Sequence, residues 1–386
     1  MKKLILLTAC LLATGPLSAK ERMVKILLYS VSKPAALTLT PGQEKVFINA
    51  IPLKASTLIS ANGSIVSVKG FGPARKTARL NISGKGAWLS GNMSPKRLYK
   101  GLLEITAEKG RLKIINTIPL EEYIASVTSG EAGDLSQTEA FKAQALAART
   151  YTLKHIGNHV KDGYNMCDST HCQLFTGFGA VRPIARAAAD STRGEIVTYQ
   201  DKPAATFYHS ICGGRTETMT YVWPFEHKPY LVSIMDGPAR KPYCSIAPGF
   251  SWKTRISMKA LTGMARLQRW ILPDENIRKM EVLDRGISKR AVTLQFSTER
   301  RSVRISATNF YHGVGRRKGW AAIRSALFYV YSGKDYVVLE GKGNGHGVGM
   351  CQWGAEGMAR RGFKYRDILT HYYPGTVCKN INDSQD

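Results

Sequence analysis

The sequence predicts an α+β protein: a β-rich amino-terminal part, a core of mixed helices and strands, and a basic subdomain inserted into that core. Three observations predict it. Up to about Ile118, apolar residues alternate with polar ones in short runs broken by Gly, Pro, Asn and Ser. After Pro119 the apolar period becomes helical. From about 218 to 324, Pro, aromatic and basic residues intervene before strands return. With 386 residues, 44% hydrophobic and 22% charged, the chain can bury a full core and more than one domain, which rules out long-range disorder.

Met1 to Ala19 reads as a secretory leader: Lys2 and Lys3, an apolar run from Leu4 to Ala13, the breakers Gly15 and Pro16, then Leu17-Ser18-Ala19 as a cleavage site. The run is too short to span a bilayer, and no later stretch approaches the roughly twenty apolar residues a membrane helix needs. An exported protein without a transmembrane segment is expected, periplasmic or secreted and wall-associated. Leu7-Thr8-Ala9-Cys10 loosely resembles a lipoprotein signal, and lipidation at Cys10 stays open, although few apolar residues precede it.

Residues 20–96 are expected to form the β-rich part. Val24–Tyr29, Lys45–Asn49, Leu58–Ser60, Ser64–Val68, Gly101–Thr106 and Leu112–Asn116 carry the strand pattern up to Ile118. A core domain is expected over 97–376, with an insertion at about 218–324, and a tail over 377–386. Within the core, Leu120 to Thr128 predicts a helix. Ser136-Gln-Thr-Glu139 predicts a capping box ahead of a second helix through Ala140 to Arg149. Strands are expected over Glu195–Tyr199, Ala204–His209 and Phe328–Leu339, followed by a Gly-rich stretch and a helix.

The 55 Lys and Arg outweigh the 28 Asp and Glu, a formal net charge of +27. Lys2 and Lys3 leave with the leader, which carries no acid, so the mature chain is at +25. Such an excess implies a polyanion, a membrane face or an acidic wall polymer as partner. Export argues against nucleic acid.

Four segments carry residues suited to chemistry. Ser129-Gly130-Glu131-Ala132-Gly133-Asp134 places carboxylates in a turn between two helices, where they serve either catalysis or the first turn of the coming helix. Cys167-Asp168-Ser169-Thr170-His171-Cys172-Gln173 brings two thiols and an imidazole together, soft ligands for zinc in no standard finger spacing; a buried or bridged Cys172 is the alternative. Phe207 to Glu217 joins a strand end to Gly213-Gly214, with His209 and Cys212 on opposite sides, which disfavours a Cys–His nucleophile. Gly341 to Gly349 has glycine at every second position, a spacing that fits neither a dinucleotide fingerprint nor a P-loop and suits a groove lined by backbone and His346. Export permits disulfides, and Cys212 with Cys244 and Cys351 with Cys378 are candidate bridges. If Cys167, His171 and Cys172 hold a metal, a water or a distant residue such as His209 must complete the set.

In chain order, Ile118-Pro-Leu-Glu-Glu-Tyr-Ile124, Glu131, Glu139 to Tyr151, His171-Cys-Gln173, Tyr208-His-Ser210 with Gly213-Gly214, Gly345 to Ala355 and His371-Tyr-Tyr-Pro-Gly375 resemble the SpoIID/LytB family of bacterial cell-wall proteins. The resemblance covers roughly Arg97 to Thr376. It implies a lytic transglycosylase on peptidoglycan glycan strands, preferably denuded of stem peptides, with Glu131 catalytic and 1,6-anhydromuramic ends as product. It implies substrate binding by Lys142, Gln144, Arg149, Gln173, Tyr208, His209, Gly213, Gly214, Gly345, His346, Gly347 and Gln352. A structural zinc at Cys167, His171 and Cys172 is implied too, with no cofactor required for catalysis. The implied partners are glycan strands, an amidase and other wall-remodelling or division proteins. The alternative in the same family is a non-catalytic peptidoglycan binder that enhances or recruits an amidase. Glu131-Ala132-Gly133 departs from the family's usual Glu-Met-Pro, which alters the turn around the carboxylate.

Overall fold

The computed structural model describes residues 21–69, 75–77, 79–84, 86–91, 94–224 and 227–381. The leader expected over 1–19, including Cys10, lies outside them. Among the described residues the fold is α+β, and no helix is long and apolar enough to cross a membrane.

The amino-terminal strands form two sheets packed face to face. The first runs Met166–Cys167, Met23–Leu28, Arg111–Pro119, Leu102–Glu108, Arg79–Gly84, Val46–Ile48, Ile51–Pro52. The second runs Ser94–Tyr99, Ala87–Gly91, Ala36–Pro41, Thr57–Asn62, Ile65–Lys69, Arg75–Thr77. Period-two alternation gives each inner sheet face its apolar set: Leu103, Ile105, Leu112 and Ile114 are buried against Ile59, Val66 and Val68. This sandwich continues past 96 as far as Pro119. Its edge strand Met166–Cys167 joins in parallel from a distant part of the chain, with Ile26 opposite Met166. Asp168 fastens that graft, accepting from Tyr29 N at 2.7 Å and from Ser30 N at 3.0 Å.

The helical core is organised around α2 (Thr138–His155), packed against α1 (Leu120–Glu131), α3 (Pro183–Ser191), α7 (Gln352–Ala359) and α8 (Tyr365–Tyr372). Ala140, Ala143, Ala145, Ala147 and Ala148 leave α2 slim enough to be approached from several sides. One polar group crosses this apolar packing: Arg149, fully buried, donates to Glu121 at 2.7 Å and to the carbonyls of Ala189 and Glu195.

The capping box expected at Ser136 does not form. The helix starts at Thr138, with Gln137 at its N-cap. Ser136 Oγ instead donates to Glu356 on α7 at 2.7 Å, and Glu356 also accepts from the N–H groups of Ser136 and Gln137. Glu139 turns away to Lys142 and Tyr365 N. A carboxylate distant in sequence thus satisfies the helix entry, a substitution that local spacing does not show.

The insertion holds a third core running from Trp252 to Leu339. Two three-stranded sheets, Ser251–Ser257 with Tyr336–Lys342 and Phe328–Ser332, and Ile277–Arg285 with Ala291–Thr298 and Ser302–Ser306, enclose α5 (Met258–Leu267) and α6 (Ala307–Lys318). Met219, which opens the short helix α4 (Met219–Val222), and Tyr230, Leu231 and Cys244, all inside the expected insertion of 218–324, belong instead to the helical core. The strand expected over Phe328–Leu339 is a hairpin turning at Gly333. Of Ala204–His209, Tyr208–His209 pairs as a strand, in parallel with Met350–Cys351. In the expected tail, Val377–Asn380 pairs with Glu195–Tyr199.

Arg149→Met strips the Glu121 carboxylate of its buried partner and is expected to lower unfolding free energy by about 3–5 kcal/mol. Urea denaturation of both proteins checks the value; a loss under about 1 kcal/mol would show that Glu121 finds water or another donor.

Candidate active site

Between the helical core and the insertion lies a cleft of about 580 Å³, within the range of sites that hold organic ligands. Three pieces of the helical core build one wall: the C-terminal end of α1, the strand Tyr208–His209 and the loop Asn344–His346. Ala291, Val292, Thr308, Tyr311, His312, Trp320 and Ala326 of the insertion build the other.

Glu131 is the last residue of α1 rather than part of a free turn. Its Oε1 accepts from Leu174 N at 2.6 Å, and Gln352 Nε2 holds its carbonyl at 3.1 Å. Burial raises the Glu131 pKa, while the Leu174 N–H and the Tyr208 phenol pull the other way without cancelling the rise. The negative end of the α1 dipole also disfavours the anion. Glu131 thus holds its proton to a higher pH than an exposed carboxyl.

The other carboxylate lining the cleft, Glu217, is fully buried, with one oxygen accepting from Thr218 N and the other from Ser288 N and Oγ. Glu122 pairs with Arg186, and Asp134 is exposed outside the cleft. Among the described lining residues, Glu131 is the carboxyl left for proton transfer.

Tyr208 donates to Gln173 Oε1 at 2.9 Å, and Gln173 Nε2 donates to Thr152 Oγ1 at 2.8 Å. The phenol beside Glu131 is thereby held in one orientation. His346 accepts from Val348 N at Nδ1, so its Nε2 carries the hydrogen donated to the Tyr208 carbonyl at 2.9 Å. Burial pushes His346 down to about 4 and His209 well below its ordinary value, so both rings are neutral near pH 7. His209 bonds the Val348 carbonyl through Nδ1, and its buried Nε2 has no protein partner.

The alternate glycines have a steric cause. At Gly349 (φ +70°) a Cβ would overlap the Phe207 carbonyl, and at Gly345 (φ +102°) it would lie 2.9 Å from His209 Cβ. The loop must pass this close for His346 to reach the Tyr208 carbonyl.

Of the residues proposed from sequence, Glu131, Tyr208, His209, Gly345, His346, His171 and Cys172 meet at the cleft. Gln144, Gln173 and Gln352 stand behind it as a buried hydrogen-bonded layer. Five others do not line it: Arg149 serves the helix packing, Lys142 pairs with Glu139 at 3.1 Å, Gly213 and Gly214 pack against Leu327 and Pro242, and Gly347 lies against the Arg290 guanidinium.

His159 was not singled out from sequence. Its Nε2 lies 3.4 Å from Cys172 Sγ, while His171 Nδ1 lies 3.5 Å from Cys172 Sγ and 3.8 Å from Cys167 Sγ. The Cys172 sulfur and the two ring nitrogens lie within 4.8 Å of one another, and Cys167 Sγ approaches from the His171 side; two sulfurs and two ring nitrogens are a donor set that would suit zinc. For such a metal His159, rather than a water or His209, would be the further ligand. An adjacent His-Cys pair twelve residues beyond another histidine is a signal that sequence offers only once the 3₁₀ turn Val160–Asp162 is known to fold the chain back.

The model of the family described as Stage II sporulation protein matches residues 108–199, covering Glu131 and the Cys167–Cys172 segment. An uncharacterized protein of Brachyspira hyodysenteriae is 31% identical over 290 residues, 74% of this chain and 73% of that protein. The chain belongs to the SpoIID/LytB family. Stage II sporulation protein D of Bacillus amyloliquefaciens is 25% identical over 78% of this chain and 84% of its own length. The Amidase enhancer of Bacillus subtilis is 28% identical over 62% of this chain, a span that covers 38% of that longer protein. Residues 244–349, which hold the third core, match a domain of unknown function, DUF8618.

The raised Glu131 pKa has a sign for stability. The folded chain binds this proton more tightly than the unfolded one, so the contribution is full below the unfolded carboxyl pKa of about 4.3. It is lost as pH rises through the raised folded value. Glu131→Gln, which cannot ionise, is expected to melt above the native protein near neutral pH, with the difference closing below about pH 4. Thermal melts across that range check it; a variant that melts lower at neutral pH would contradict it.

Proposed function

We propose that this chain is an exported lytic transglycosylase that cleaves peptidoglycan glycan strands, preferably those denuded of stem peptides. The observation that carries the reading is a single carboxyl, Glu131, that burial biases toward its protonated form, in a cleft where the second acid is locked in hydrogen bonds. Hydrolysis by the common two-carboxylate schemes needs a second free acid as base or nucleophile. A lytic transglycosylase needs one. Glu131 protonates the glycosidic oxygen, the C1–O bond breaks, and positive charge develops at the muramic carbon. The resulting carboxylate then takes the proton of that sugar's C6 hydroxyl as O6 bonds to C1, closing the 1,6-anhydro ring and restoring the acid.

The surroundings support sugar binding. Trp223, Tyr311 and Trp320 line the cleft, aromatic side chains of the kind that pack against the C–H faces of pyranoses. Neutral His209 and His346 line the cleft without a charge that would depress the Glu131 pKa. Trimmed glycan exposes lactyl carboxylates, which a chain at +25 attracts over a screening length of about 8 Å at physiological salt. A zinc at Cys167, His171, Cys172 and His159 would fix the loop that carries Leu174, the residue bonded to Glu131, and supplies no chemistry to the cleavage.

The relative named Amidase enhancer favours a second reading, a binder that recruits an amidase without cutting glycan. Both readings expect binding to denuded sacculi. Only cleavage yields anhydromuramyl ends, and mass spectrometry of denuded glycan after incubation separates the two.

Glu131→Gln is expected to lower formation of these ends by the order of 10² to 10⁴ while binding and folding persist. Full activity in that variant would remove Glu131 from the mechanism. Chelation is expected to release about one zinc from the Cys167 group and to lower the melting temperature; a Cys167–Cys172 bridge in a non-reducing peptide map would end the zinc reading.

A further inference from the structure

Outside the cleft, four potential ligand atoms converge deep in the helical core. The sulfurs of Cys212, Cys244 and Cys351 and a carboxylate oxygen of Asp236 all lie within 4.8 Å of one another, and all four residues are fully buried. They come from four separate segments: the end of the strand Tyr208–His209, the loop before Pro238, the 3₁₀ turn Tyr243–Ile246, and the N-cap of α7.

We propose that these residues form a second, closed metal site of Cys₃Asp type for a thiophilic divalent cation such as zinc. Two observations favour a metal over a disulfide. Cys212 Sγ and Cys244 Sγ stand 3.5 Å apart, well beyond a bonded S–S length of about 2.05 Å. The separation is close to the ~3.8 Å edge of a tetrahedron whose sulfurs lie 2.3 Å from zinc. The second observation is charge. Asp236 is buried with three sulfurs, and no Lys or Arg pairs with its carboxylate among the described residues. A Cys212–Cys244 bridge would leave that carboxyl and the Cys351 thiol facing it without a counter-charge, whereas a divalent cation supplies one.

The surrounding hydrogen bonds have the pattern of an outer ligand shell. Cys351 Sγ accepts from Cys212 N at 3.1 Å and Gly354 N at 3.3 Å. Asp236 accepts from Cys244 N at 2.8 Å on one oxygen and from Tyr372 OH on the other. Arg290 donates to the Cys212 carbonyl at 2.6 Å and brings a positive charge beside the thiolates. Each bond orients a ligand or offsets its charge. The expected bridge between Cys351 and Cys378 is displaced by this arrangement: Cys378 lies on the strand Val377–Asn380, outside the cluster. With four protein ligands and no opening to the cleft, the site is structural, and its binding releases the thiol protons. It ties the Gly213-Gly214 turn, the Asp236 loop and α7 behind His209 and His346.

The test is the metal content of protein purified without reductant and desalted over chelating resin. Cys167→Ser/Cys172→Ser removes the other group and is expected to retain about one equivalent of zinc, falling to none when Cys244→Ser is added. Because the multiple variants can fail to fold, cadmium-loaded native protein is also examined by cadmium-113 NMR. One resonance is expected in the range of three sulfurs and one oxygen, distinct from that of two sulfurs and two nitrogens. A Cys212–Cys244 or Cys212–Cys351 bridge in the peptide map, or native protein lacking the three-sulfur resonance, overturns the proposal.

Discussion

The close passage of the Gly345–Gly349 loop over the strand Tyr208–His209 is the contact on which the rest of the site depends. Parallel pairing sets Tyr208 opposite Met350 and His209 opposite Cys351. Tyr208, His209 and His346 line the cleft, while Cys212 and Cys351, carried by the same two segments, are buried in the helical core. A single pairing of these segments therefore fixes both the cleft wall and the sulfur cluster behind it. A side chain larger than hydrogen at Gly349 would force the two segments apart and break both together.

Glu131 reaches this wall from the opposite direction, and its placement runs against helix preference. A carboxyl at a helix C-terminus meets the negative end of the dipole, and burial adds to the penalty on its ionised form. A helix designed for stability would carry a basic residue there, and α1 carries none in its last turn. The placement costs local stability and biases the acid toward its protonated form, a conflict between residue and position of the kind that marks candidate sites of proton transfer. The layer of Gln144, Gln173 and Gln352 then does for orientation what burial does for protonation: Gln173 holds the Tyr208 phenol, and Gln352 donates both to Gln144 and to the Glu131 carbonyl.

What the sequence made legible follows from how local each signal is. Period-two strands such as Leu102–Glu108 declare themselves because one face is buried and the other wet. The edges of the second sheet do not; Ser94–Tyr99 alternates weakly, and its pairing with Ala87–Gly91 carries a register shift. Glu131, Tyr208, His209 and His346 stood out through their motifs, and the cleft gathers them. Arg149 stood out equally and packs elsewhere, because a motif marks a residue as needed without saying whether catalysis or packing needs it. Glu356 as the cap of α2, His159 beside Cys172, and Asp236 among the cysteines were silent for one reason. Each meets its partners only once the chain is folded, across 220 residues from Ser136 to Glu356 or back around a turn from Cys172 to His159, and no local pattern reports such a partner.

The insertion changes what the cleft selects. A groove formed by the helical core alone would be open along one side, whereas here α6 and its neighbours supply Tyr311, His312 and Trp320 as a facing wall. Tyr311 and Trp320 meet in a tilted ring contact with centroids 5.2 Å apart, and Thr308 reaches the Val222 carbonyl at 3.4 Å, so the wall is joined to the core at the cleft's edge. Enclosure from two sides lowers the local dielectric around Glu131 and strengthens each polar contact inside. On the proposed function it would also narrow what enters: a bare glycan strand is slim, while stem peptides widen it at every second sugar. Under that reading a walled cleft and a strongly basic chain would favour the same polymer, the first by excluding the peptide and the second by attracting the carboxylates that its removal uncovers.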